Sequence, residues 1–202
     1  MAAIESLFVT RIYRAETDGI APDVVARACR AIAGQDKAGR AWSKAKNYKG
    51  YTSYASLTDL PDRAPEFGEL KRVLDRHVAN FAEAAAFDLG RRRLKLDNIW
   101  INILAPGGVH TSHIHPHSVV SGTYYASVPE GASSIQFEDP RLGLMMAAPP
   151  RRADAEIDQR SFVSFAPKPG TVMLWESWLR HEVPMNQAAQ DRISVSFNYR
   201  WG

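Results

Sequence analysis

The chain has 202 residues, enough to close one substantial core and too few for two comfortable domains. Hydrophobic residues make up 45% and charged residues 23%, which excludes extended disorder and fibrous repeats, and 25 basic against 22 acidic side chains leave a net charge of +3, too small to argue for nucleic-acid binding. Cys29 is the only cysteine, so an internal disulfide and a cysteine metal cluster are both excluded.

The segment Met1 to Arg11 has no basic stretch leading into a long apolar run, and no segment reaches bilayer-spanning length; a soluble, cytoplasmic protein is expected. From Pro22 to Ile32 the residues Val24, Val25, Ala28 and Ile32 recur at helical spacing, with Pro22 near the start where its missing N–H does no harm. A second stripe, Phe67, Leu70, Val73, Leu74, Val78, Phe81 and Ala84, predicts a core-facing helix from Glu66 to about Phe87, with Gly90 placed to end it. Beyond Leu94 the pattern changes to short β-rich runs, NIWINIL, VVSGTYYASV, SSIQFE, SFVSFA, TVMLWE and RISVSFNYRW, separated by Gly and Pro. The expected plan is one domain over residues 1–202, helical over about 1–93, followed by a barrel or sandwich of strands over about 94–202. The stretch Met145 to Arg160, with Pro149 and Pro150, is expected to be a long surface loop.

Four of the six histidines, His110, His113, His115 and His117, fall within HTSHIHPH. Alternate side chains of a strand share a face, so His113 and His115 can grip one metal ion across Ile114, and imidazole nitrogen suits Fe, Zn, Ni or Cu. A third ligand must come from elsewhere in the fold, and His181, after TVMLWESWLR, is the candidate. Pro116 cannot donate to a sheet, so the strand should end or bend there, favouring His113 and His115 over the alternative pair His115 and His117. By parity His110 faces away from His113, as a rim residue, and His77 is expected on the surface of the long helix. Arg192 heads the strand RISVSFN; buried in a barrel it would need an anion, which a carboxylate co-substrate would supply, and Ser194 shares its face. Asn102 could point an amide into the same cavity. Trp175 and Trp178 are expected to pack beside His181. Arg141 is either at the substrate mouth or in a turn contact with Asp139.

In this order, NIWINILAPGG, HIHPHSVVSGTYYASVP, IQFEDPR, PGTVMLWESWLRHEV and DRISVSFNYRW resemble the Fe(II)/2-oxoglutarate-dependent dioxygenases, with the closest likeness to a bacterial and phage branch. A weaker echo lies in LFVTRIY and the Tyr-rich NYKGYTSYASL. The resemblance implies a double-stranded β-helix, a jelly-roll or cupin-like barrel of the α+β, mainly β class, with N-terminal flanking helices. It implies Fe(II) held by His113, His115 and His181, and 2-oxoglutarate as co-substrate with its distal carboxylate on Arg192. In similar proteins a Tyr of the strand after the first ligands bonds that carboxylate, which falls on Tyr125. His115 stands where most of the superfamily has Asp or Glu, and three neutral imidazoles leave the metal site one unit more positive.

The reading is then an oxidoreductase that couples decarboxylation of 2-oxoglutarate to hydroxylation of a small-molecule or other substrate with O2, without nucleic acid or membrane as partner. A homodimer is left open. The competing reading is a cupin-like three-His metal-binding or sensing protein without 2-oxoglutarate. A Zn hydrolase would need a general base, for which only Glu176 and Glu182 lie near His181 in sequence.

Overall fold

A computed structural model describes residues 2–141 and 146–202. Eight strands carry the core: β3 (Leu94–Leu104), β4 (His110–His113), β5 (Val120–Ser127), β6 (Ile135–Glu138), β7 (Phe162–Phe165), β8 (Thr171–Glu176), β9 (His181–Val183) and β10 (Arg192–Trp201). β3, β5, β8 and β10 belong to one antiparallel sheet and β4, β6, β7 and β9 to another. Two short strands from the N-terminal part, β1 (Tyr13–Glu16) and β2 (Gly50–Thr52), extend the larger sheet at both edges, giving β1-β8-β5-β10-β3-β2. The smaller sheet runs β4-β9-β6-β7. This is a double-stranded β-helix, mainly β, with flanking helices.

Helix α1 (Pro22–Gln35) starts on Pro22 and buries Val25, Cys29 and Ala33, so its stripe is centred one residue past the expected one. Asp36 caps α2 (Lys37–Ala45) by accepting from the Gly39 N–H at 2.9 Å, and also receives the Tyr51 and Ser56 hydroxyls. A short helix α3 (Leu60–Arg63) precedes α4 (Pro65–Ala84), which buries Phe67, Leu70, Val73, Leu74, Val78, Phe81 and Ala82. The predicted Ala84 is exposed instead, and α4 stops before Gly90 because Ala86 already turns left-handed, at φ 57°. His77 is half-buried on α4 and meets the Tyr13 hydroxyl at 2.9 Å, tying the helix to β1 rather than facing solvent alone. No helix among the described residues is long and apolar enough to cross a membrane.

The helices pack on one face of the larger sheet and the smaller sheet covers the other, so its central strands are buried on both sides. On β3 and β10 the side chains Ile99, Ile101, Ile103, Ile193, Val195, Phe197 and Tyr199 join the helical core. The alternate positions Trp100, Asn102, Arg192, Ser194 and Ser196 turn towards the smaller sheet, where they line a cleft. The loop expected over Met145 to Arg160 is described from residue 146, Met145 lying outside the described residues, and it holds a 3-10 turn at Ile157–Gln159.

Gly50 is the residue that lets β2 approach β3. Its φ is +126°, and a Cβ there would lie 1.9 Å from the Ile103 carbonyl oxygen. Gly50→Ala is therefore expected to destabilise the protein by about 3 kcal/mol or more. Urea unfolding at equilibrium checks this; a loss below about 1 kcal/mol would contradict it.

Candidate metal centre

β4 and β9 are adjacent in the smaller sheet, and His113 and His181 are direct partners across the pair. His113 is the last residue of β4 and His115 lies just beyond it, anchored by its N–H to the Ser177 carbonyl at 3.0 Å. One ring nitrogen from each of His113, His115 and His181 lies within 4.8 Å of the others, and Nε2 of His115 and His181 are 3.3 Å apart. His117 follows Pro116 at φ 69°, exposed and outside this set.

The tautomers follow from the neighbours. Nδ1 of His113 lies 2.7 Å from the Thr111 carbonyl and Nδ1 of His181 lies 2.9 Å from the Leu179 carbonyl. A carbonyl only accepts, so both Nδ1 atoms carry the proton and both Nε2 lone pairs are free for a metal. Asn198, on β10, is held by the Ser121 hydroxyl at 2.7 Å. Burial is the main cause that lowers the pKa of all three rings, to about 4 for His115 and further for His181, where neighbouring His113 adds to it. They stand as neutral imidazoles, the form that ligates.

Aromatic rings brace each one. Trp100 stacks on His115 at 5.8 Å, and Trp175 meets His181 edge-on at 4.6 Å. Trp178, expected beside it, is about half exposed, because it occupies the turn between β8 and β9. His110 stacks on His113 at 4.9 Å and lines the cleft. The parity argument placed it on the opposite face; the register of β4 against β9 shifts between His110 and His113, and that irregularity turns it inward.

The cleft, a narrow one of about 40 Å³, is lined by the three histidines and by Arg192. Arg192 is 3% exposed, makes no ion pair among the described residues, and leaves its Nε without a partner. Its Nη1 lies 3.5 Å from the Ser194 hydroxyl, and its guanidinium stands 5.0 Å over the Tyr125 ring. The Tyr125 hydroxyl is fully buried and unpaired. A buried, uncompensated guanidinium costs several kcal/mol, so this end of the cleft is built for an anion. Asn102 also lines the cleft, its carbonyl accepting from Thr52 at 2.9 Å and its amide donating to Ser196 at 3.0 Å. None of the described lining residues is acidic. Arg141 is paired with Asp139 at 2.7 Å and is no part of the lining. Sequence reasoning missed Tyr48, which enters the wall from the N-terminal part, and the Tyr-rich run was its only signal.

Three neutral nitrogen donors next to an anion-demanding arginine fit Fe(II) with a dicarboxylate. Residues 98–198 match the family described as "Putative 2OG-Fe(II) oxygenase", half of the chain, and the protein belongs to that family of oxidoreductases. No curated protein sequence matches. Among solved structures, a prolyl-4-hydroxylase of Pseudomonas putida is 14% identical, aligns over 95% of this chain and 93% of its own, and gives a TM-score of 0.58. HygX of Streptomyces hygroscopicus, solved with nickel and 2-oxoglutarate bound, is 15% identical over 95% of this chain and 82% of its own, with a TM-score of 0.57. An oxidoreductase of the 2OG-Fe(II) oxygenase family from Burkholderia pseudomallei is 18% identical over 67% of this chain, at a TM-score of 0.49, and this chain spans 57% of that protein's length. At such identities the first two likenesses speak for the fold, the double-stranded β-helix.

Proposed function

We propose that this protein is a 2-oxoglutarate-dependent oxygenase that hydroxylates a small molecule. In this reading His113, His115 and His181 hold Fe(II), while Arg192, with Ser194, Tyr125 and Asn102 around it, receives 2-oxoglutarate. The observation that carries it is Arg192, a buried cation with an unpaired Nε that lines the same cleft as the three histidines. When bound, Fe(II) and 2-oxoglutarate supply, with O2, an oxidative decarboxylation to succinate coupled to oxygen insertion into the substrate.

The chain's own work is positioning and exclusion of water. The backbone carbonyls of Thr111 and Leu179 fix two of the rings, and the third is held by the His115 N–H on the Ser177 carbonyl and by its stack on Trp100. Trp100 and Trp175 form dry walls beside them, and Arg192 orients the far carboxylate. The chain acts as one domain in this proposal, since β1 and β2 complete the larger sheet from outside the matched span. A cytoplasmic setting is proposed from the lone cysteine, Cys29, buried and free. We take the substrate to be neither nucleic acid nor membrane; a homodimer remains one arrangement to measure.

Adding Fe(II) and 2-oxoglutarate without oxygen is expected to raise a weak visible absorption band, and admitting O2 should give slow succinate formation even without substrate. Metal binding with no band and no succinate would favour the three-His sensing protein instead.

A further inference from the structure

We infer that Tyr48, delivered by the N-terminal segment, donates its hydroxyl to the distal carboxylate of 2-oxoglutarate and completes the pocket that Arg192 begins. The inference rests on the function proposed above and concerns a residue outside the matched span.

Tyr48 lies in the connection between α2 and β2, and its side chain forms part of the cleft wall together with His110 and Arg192. Its hydroxyl oxygen is buried and has no hydrogen-bond partner among the described residues. An orphaned phenol in an interior costs about 1–3 kcal/mol, so it is retained for something that enters the cleft. Burial pushes its pKa up, with the Arg192 charge opposing, so the phenol remains a donor at any working pH.

The other polar groups nearby are spoken for or placed behind. Both ends of the Asn102 amide are bonded, to Thr52 and Ser196. The Ser194 hydroxyl faces Arg192, and Tyr125 lies against the guanidinium with its ring 5.0 Å away, leaving room for a further donor. Tyr48 is thus an uncommitted hydroxyl on the wall that also carries the guanidinium. A carboxylate offers about four lone-pair sites, more than one arginine fills.

The position is held tightly. The Tyr48 N–H donates to the Ser43 carbonyl at 2.9 Å, and the Lys49 carbonyl accepts from Ala105 at 3.1 Å. Gly50 then pairs with Leu104 at the close approach only glycine permits, and the Tyr48 ring meets His110 edge-on at 5.9 Å. Mere packing would be served equally by phenylalanine.

Tyr48→Phe separates these roles, because it keeps the ring and removes only the hydroxyl. Calorimetry on Ni(II)-loaded protein would compare 2-oxoglutarate with 2-oxobutyrate, which keeps the 2-oxo acid end and lacks the distal carboxylate. The expected result is unchanged metal content, about tenfold weaker 2-oxoglutarate binding and unchanged 2-oxobutyrate binding. Equal weakening of both acids, loss of metal, or no weakening of 2-oxoglutarate would overturn the inference. Wild-type protein that takes Ni(II) but no 2-oxoglutarate would show instead that the underlying function fails, and the inference with it.

Discussion

Arg192→Met is expected to retain Fe(II) at wild-type stoichiometry and to weaken 2-oxoglutarate binding by at least about 100-fold, the loss of a charge-assisted, two-point contact worth about 3 kcal/mol. Arg192 is buried, has no carboxylate partner among the described residues and lines the same cleft as the three imidazoles. Methionine matches its length without the charge. Removing an uncompensated buried cation should leave the ligand-free protein at least as stable as before, so a lower melting temperature is not expected. Calorimetric titration decides the matter: unchanged 2-oxoglutarate affinity in a folded, metal-loaded variant would refute the role given to Arg192.

The second large effect concerns the metal. Single Ala substitutions at His113, His115 and His181 should each lose most of the bound Fe(II), with affinity falling by more than about 100-fold, while His117→Ala keeps it near stoichiometric. The first three present converging nitrogens, and two of them are fixed in the ligating tautomer by backbone carbonyls. His117 sits on the exposed turn after Pro116 with a left-handed backbone, pointing elsewhere. Metal analysis after Fe(II) loading and desalting provides the readout. Full occupancy in folded His113→Ala would overturn the set, and loss of metal in His117→Ala would require the alternative pair.

The distinction between His115 and His117 could be drawn from one proline, because the backbone chemistry of Pro116 is local. Strand parity gave the remaining inward residues of β3 and β10 for the same reason: with a period of two, Arg192, Ser194 and Asn102 follow from a single correct register. Parity failed at His110, where a shift between two strands changes the face and leaves no mark in a four-residue stretch of sequence. The helices were legible from their apolar stripes to within a few residues. β1 and β2 were not, since strands of four and three residues carry too little pattern to read. With β2 unseen, nothing in the sequence connected Tyr48 to a cleft formed more than fifty residues later, and long-range pairing of this kind is the part of the fold that local chemistry does not announce.

The larger sheet, covered on both faces, has a consequence for how the protein can change. On β3 and β10, Trp100, Asn102, Arg192, Ser194 and Ser196 meet the cleft, while Ile99, Ile101, Ile103, Ile193, Val195 and Phe197 hold the helices. Scaffold and chemistry are therefore interleaved along the same few strands yet physically separated by the thickness of one sheet. Substitutions confined to the cleft-facing positions can diversify what the protein accepts while the helix-facing half is left as it is, so selectivity and thermal tolerance are open to being engineered as largely independent traits.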